Sequence, residues 1–166
     1  TFAKIPGNNY QRWLMTSDKN NNIYIGNTDI FSGSIGESYK YEISTNNWTK
    51  LPNLIDHTNY YRCGCEYYNN KIYFFGGYNW YIGVEYLIVK PFIGNTFIQS
   101  KYNNQIEVQP RLYHTQSIHI GNGIMYLISG QTGDTGPYSS NIYVYNADYD
   151  FMYLSDIQFP SPRGQH

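Results

Sequence analysis

The sequence predicts an all-β fold, and three observations lead there. The 166-residue chain holds 20 tyrosines, 19% aromatic residues in all, and 19 asparagines. Tyrosine suits half-buried strands, whereas asparagine suits turns, because it bonds its own backbone and tolerates left-handed geometry. Short runs of alternating apolar residues, such as "KIYFFGG" at 71–77, stop abruptly at glycine. The four arginines, Arg12, Arg62, Arg111 and Arg163, fall 50, 49 and 52 residues apart. A period near 50 residues marks a repeat architecture.

The units run over 12–61, 62–110 and 111–162, flanked by pieces of further strands at 1–11 and 163–166. Each opens with a strand just after its arginine. A second apolar strand follows: "NIYIG" at 22–26, "KIYFFGG", and "IMYLISG" at 124–130, with Tyr24, Tyr73 and Tyr126 in common register. After a loop of glycine and polar residues comes a third strand, "SYKYEI" at 38–43, "VEYLIV" at 84–89 and "NIYVYN" at 141–146. The fourth strand is short and carries one large apolar residue. Trp48 stands seven residues past Tyr41 and Met152 seven past Tyr145; Phe97 takes this place in the middle unit, after an insertion containing Pro91. A proline-containing connection leads to the next arginine.

The glycines that end the second strands are Gly26, the pair Gly76 and Gly77, and Gly130. A glycine-rich phosphate cradle needs G-x-G-x-x-G opening a helix. Here "YNWYIGVEYLIV" leads instead into another strand-like run. The glycines are therefore read as structural. Where the strand leaves the sheet, positive φ or a close backbone approach excludes a Cβ.

A double glycine ending the second strand, a Tyr on the third, a Trp on the fourth and an Arg before the next unit together resemble the kelch repeat. The match rests on Arg62 with "IYFFGG" and on "YKYEISTNNWTKLP", and covers the chain as three units. The first unit has a single glycine, the third has Ser129-Gly130, and two units lack the Trp. The resemblance implies a β-propeller segment of about three four-stranded blades. Propellers have roughly 4 to 8 blades, so it also implies an excerpt of a larger propeller, with a self-associating half-propeller as the alternative.

Net charge is −1 and charged residues make up 14%, against roughly 25% in an average soluble domain. Such a chain lacks the basic footprint of a nucleic-acid binder. Its aromatic content argues against disorder. No apolar run approaches the roughly 18 residues of a membrane span; the nearest, "EYLIVKPFIG", is broken by Lys90 and Pro91. The chain begins at Thr1 and reads as processed or excerpted. Cys63 and Cys65 share one strand face, too close along the chain for relaxed disulfide geometry, and are read as two buried thiols.

His57, His114, His119 and His166 are read as structural. His114 and His119, five apart, face opposite sides of a strand and share no metal. Asp148 and Asp150 in "NADYD" read as a turn rather than paired catalytic carboxylates. Some enzymes share this fold, notably copper radical oxidases and sialic acid mutarotases. Cys65, Tyr67 and His114 do not converge in the repeat register as a copper site would require. No catalysis, cofactor or metal is expected.

Two sets of residues are candidates for partner binding. By position, the resemblance places Arg12, Arg62, Arg111 and Arg163 at a channel rim where acidic peptides can be gripped, Arg62 and Arg111 above all; the structural reading has them bonding carbonyls of the neighbouring blade. In "GGYNWYIG" at 76–83, Tyr78, Trp80 and Tyr81 occupy a blade-end loop that is mainly small or polar in the other units. Tyr and Trp are enriched in binding hot spots. The alternative is a loop that folds back on an adjacent blade. Asn47-Trp48-Thr49 is the single N-x-S/T triplet and makes Asn47 a glycosylation candidate. Composition leans toward a secreted or surface protein, whereas most kelch relatives work inside cells. The expected function is a non-catalytic protein-binding or scaffolding module engaging a partner through blade-end loops. A structural subunit of a filament or larger assembly is the second reading, and a carbohydrate-active or copper-oxidase-like enzyme the third.

Overall fold

A computed structural model of the chain describes residues 4, 13–27, 38–51, 60–61, 64–75, 78–79, 83–84, 92–93, 96–97, 115–128, 130–131 and 136–162. These residues are all strand, turn or irregular, with no helix among them.

The first sheet is an antiparallel meander of β1 (Trp13–Ser17), β2 (Asn22–Asn27), β3 (Ser38–Glu42) and β4 (Asn47–Leu51), in that spatial order. The two-residue strands β5 (Tyr60–Tyr61), β8 (Tyr78–Asn79) and β9 (Gly83–Val84) pair among themselves. Between them in sequence lie β6 (Gly64–Tyr68) and β7 (Lys71–Phe75), the hairpin of the middle sheet, which β10 (Phe92–Ile93) and β11 (Thr96–Phe97) continue. The third sheet is a second four-strand meander, β12 (Gln116–Gly121), β13 (Ile124–Ile128), β14 (Asn141–Asn146) and β15 (Phe151–Gln158).

Asparagine makes the turns, as its abundance predicts. Among the described residues, five of the seven non-glycine residues with positive φ are asparagines: Asn21, Asn46, Asn69, Asn70 and Asn122. Asn69 and Asn70 form the two-residue β6–β7 link, where both central residues need φ > 0. At the β1–β2 turn the Asp18 carboxylate accepts the N–H of Asn20 at 2.8 Å and of Asn22 at 3.1 Å, and the Asn22 amide at 2.6 Å. Burial pushes the Asp18 carboxyl up, but these donors together hold it below its ordinary value.

The spacing of seven residues from tyrosine to large apolar residue has a structural meaning. Tyr41 lies directly opposite Trp48 across β3 and β4, and Tyr145 opposite Met152 across β14 and β15. Each tyrosine also holds the intervening turn. The Tyr41 hydroxyl donates to Asn46 Oδ1 at 2.7 Å, and the Tyr145 hydroxyl to Asp150 Oδ1 at 2.7 Å. Both acceptors sit in the left-handed region, at φ 53° and 50°. Asp148 and Asp150 thus belong to a turn.

The main core lies between the middle and third sheets. Tyr73 and Phe75 from one meet Met125, Leu127, Tyr143, Tyr145 and Met152 from the other, all buried. Alternation decides which residues these are: Met125 and Leu127 share a face of β13, while Ile124, Tyr126 and Ile128 lie on the opposite one. Rings of Tyr73 and Phe75 approach that of Tyr145 at 5.8 and 5.6 Å. The Tyr68 hydroxyl reaches across the same joint to the Asp148 carboxylate at 3.0 Å. Between the first and middle sheets, the Tyr24 and Tyr67 rings stack at 5.2 Å. Two of the register tyrosines therefore face the sheet that follows them.

Three expectations are corrected or refined. The large apolar residue that marks the fourth strand implies a largely buried side chain, but Trp48 is half-buried, lying against Tyr41 at 4.7 Å and edge-on to Tyr39 at 6.4 Å. Cys65, expected buried, is half-buried and a thiol rather than half of a disulfide, while Cys63 lies outside the described residues. The middle unit's third strand was placed at 84–89, but Val84 pairs with Tyr78 in β9. The strand beside β7 is β10, with Phe92 opposite Ile72. It begins directly after Pro91 in sequence, where a residue lacking an N–H does not interrupt a ladder. Phe97, opposite Phe92, then lies on the fourth strand as expected. Gly130 follows the end of β13 buried and at φ 139°, a conformation that L side chains rarely adopt.

Candidate binding cavity

The opening strands of the three units are brought together: β1 and β12 both flank β6. The approach of β6 to β12 is set by a glycine. A Cβ at Gly64 would stand 2.8 Å from the Ser117 hydroxyl oxygen and 3.3 Å from its backbone nitrogen. Along these strands runs a cavity of about 560 Å³.

Glu66 and Ser117 form its polar wall between the middle and third sheets. The Glu66 carboxylate accepts from the Ser117 hydroxyl and from the backbone N–H of His119. Burial pushes the Glu66 carboxyl up from its ordinary value, opposed by those two donors and by the Lys19 ammonium. Lys19 reaches the cavity from the exposed β1–β2 turn. Next to the lining residue Tyr67, with which its ring stacks, Tyr24 places its hydroxyl 3.5 Å from the Asp18 carboxylate. Burial, and then the neighbouring Tyr67 and Asp18, push the Tyr24 phenol well up, so it is a neutral group here. Leu14, Met15 and Ile23 supply apolar surface.

His119 borders the cavity but turns its polarity inward. Both ring nitrogens are buried and hydrogen-bond to nothing among the described residues. Its ring stands edge-on to Tyr68 at 5.0 Å. Burial, and then the Lys19 charge, hold the imidazole below its ordinary value. His57, His114 and His166 lie outside the described residues.

No known family model matches the chain, and no curated protein matches it either. The cavity must therefore be read from its own chemistry. Among the described residues, no three His, Cys, Asp or Glu side chains gather as a metal ion would require. Cys65 and Tyr67 both border the cavity. Among the described residues no helix is long and apolar enough to cross a membrane.

Arg12, Arg62, Arg111 and Arg163, the pair Gly76 and Gly77, and Trp80 and Tyr81 lie outside the described residues, while Tyr78 has its backbone in β8, opposite Tyr61. Asn47 and Thr49 are both exposed on β4, with Trp48 turned to the other side, so the sequon amide is open to solvent. Glu66, Ser117 and Lys19 were not singled out by sequence. The available signal was positional: all three lie on or just beyond the opening strands that follow the ladder arginines.

Proposed function

We propose that the chain is a segment of a kelch-type β-propeller serving as a non-catalytic binding module. One observation carries this reading. Antiparallel sheets of successive units pack face to face while their opening strands lie side by side around a shared cavity. Such packing supports a reading of blades set radially around a channel. The repeated device of a tyrosine holding its turn supports equivalence of the first and third units. Partner contact is assigned to the blade-end loop containing Tyr78, Trp80 and Tyr81, with Arg62 and Arg111 as candidates at the rim. Rigid aromatic side chains concentrate binding energy at small entropic cost.

The test is quantitative recovery of the natural complex with wild-type and Trp80→Ala protein, with cross-links mapped by mass spectrometry. Cross-links at 76–83 are expected, and Trp80→Ala should weaken association by about 2 kcal/mol or more while stability changes by less than roughly 1 kcal/mol. A complex that survives Trp80→Ala unchanged sinks the assignment.

A second reading, a subunit of a filament or larger assembly, is favoured by one feature. On the third sheet's face away from the core, Ile118, Ile120 and Tyr153 are 51%, 57% and 45% exposed. Apolar surface of this kind marks contact sites. Sedimentation of the native particle distinguishes the two readings: a regular multimer of this chain supports assembly, a one-to-one complex the binding module.

A further inference from the structure

The cavity along β1, β6 and β12 contains two opposite charges that do not satisfy each other. Glu66 and Lys19 both border it, and the Lys19 charge is felt at Glu66. Among the described residues, however, they make no ion-pair contact within 4.0 Å. The Ser117 hydroxyl and the His119 N–H occupy only part of the carboxylate's acceptor capacity, which extends to about four lone-pair sites. A half-buried carboxylate so placed is best completed by a cation, and an ammonium at a cavity mouth by an anion. Beside them, Leu14 and Ile23 offer apolar surface. The volume, about 560 Å³, is that of a small-molecule site.

We propose that this cavity binds a zwitterionic α-amino acid with an apolar side chain, its ammonium against Glu66 and its carboxylate against Lys19. Such a molecule carries both charges on neighbouring atoms of one carbon and so can meet two opposite charges that line one cavity without pairing with each other. Its side chain takes the wall at Leu14 and Ile23. A purely anionic ligand would leave Glu66 repelling it, and a purely cationic one would meet Lys19. The proposal uses none of the residues assigned to partner binding, so the failure of partner binding at Trp80 leaves it standing.

The test is calorimetric titration of the whole chain with L-leucine and two half-ligands. These are 3-methylbutylamine, which lacks the carboxylate, and 4-methylpentanoate, which lacks the amine. Leucine should bind at least about tenfold more tightly than either half-ligand. Glu66→Gln and Lys19→Gln should each weaken leucine binding by about tenfold or more. Lys19→Gln should raise the amine's affinity by removing a like charge, and Glu66→Gln should raise that of the carboxylate for the same reason. Lys19 is exposed, so its variant folds as the parent does and decides the matter if Glu66→Gln does not fold. The proposal is overturned by no binding of leucine at about 10 mM, by a half-ligand equalling leucine, or by unchanged affinity in Lys19→Gln.

Discussion

Replacing His119 by phenylalanine should stabilise the protein. Both imidazole nitrogens are enclosed without a hydrogen-bond partner among the described residues, and the ring stands edge-on to Tyr68 at 5.0 Å. A buried polar group left unsatisfied costs about 1–3 kcal/mol, and two are present. Phenylalanine keeps the aromatic contact and removes both. Its slightly larger ring returns about 1 kcal/mol as overpacking. With each nitrogen at the low end of that range, the expected net gain is about 1 kcal/mol, or roughly 2–4 °C in midpoint for a chain of this size. Burial and Lys19 hold the folded-state pKa of His119 below 6.5. As pH falls below that value the unfolded chain takes up the proton more readily. His119 therefore weakens the wild type progressively until its folded pKa is passed. His119→Phe should lose that part of the acid limb. Glu66 has the opposite sign: its folded pKa is raised above 4.5, so its contribution is fully present below that value and lost as pH rises through the folded pKa. Urea unfolding of wild type, His119→Phe and Glu66→Gln between about pH 4 and 8 separates the two slopes. A destabilised His119→Phe with an unchanged acid limb would refute the reasoning, because the nitrogens would then have to be bonded.

The core between the middle and third sheets should be far more sensitive than the edge of the first. Phe75, 0% exposed, should lose about 3–5 kcal/mol on change to Ala, and half-buried Trp48 roughly half as much, as read by denaturant midpoints; equal losses would mean that Trp48 is fully packed. Tyr145→Phe removes the 2.7 Å bond to the Asp150 carboxylate and should cost about 1.5–3 kcal/mol, more than Tyr41→Phe, whose acceptor is a neutral amide. Gly64→Ala places a methyl against Ser117 and should cost about 1–3 kcal/mol by thermal unfolding. A neutral result there would show that β6 and β12 can separate freely.

Sequence alone determined the strand content, the repeat and the chemistry of its turns, because these depend on neighbours along the chain. Alternation over a few residues specifies a strand, an asparagine or aspartate at the left-handed position specifies its turn, and seven residues from Tyr41 to Trp48 or from Tyr145 to Met152 specify a hairpin with those two opposite each other. Tertiary structure decided what alternation leaves open. Period two says which residues share a face, but not what covers that face. Trp48 and Met152 both stand on edge strands, yet Trp48 is consequently half-exposed while Met152, packed into the core between the middle and third sheets, is 1% exposed. The pairing of Val84 with Tyr78 rather than with β7 was likewise settled by competition among strands for a partner. The cavity was least legible of all. Lys19, Glu66 and Ser117 come from three units, each about 50 residues from the next. Their meeting depends on how closely three sheets approach, and at the β6–β12 joint a missing side chain at Gly64 permits that approach.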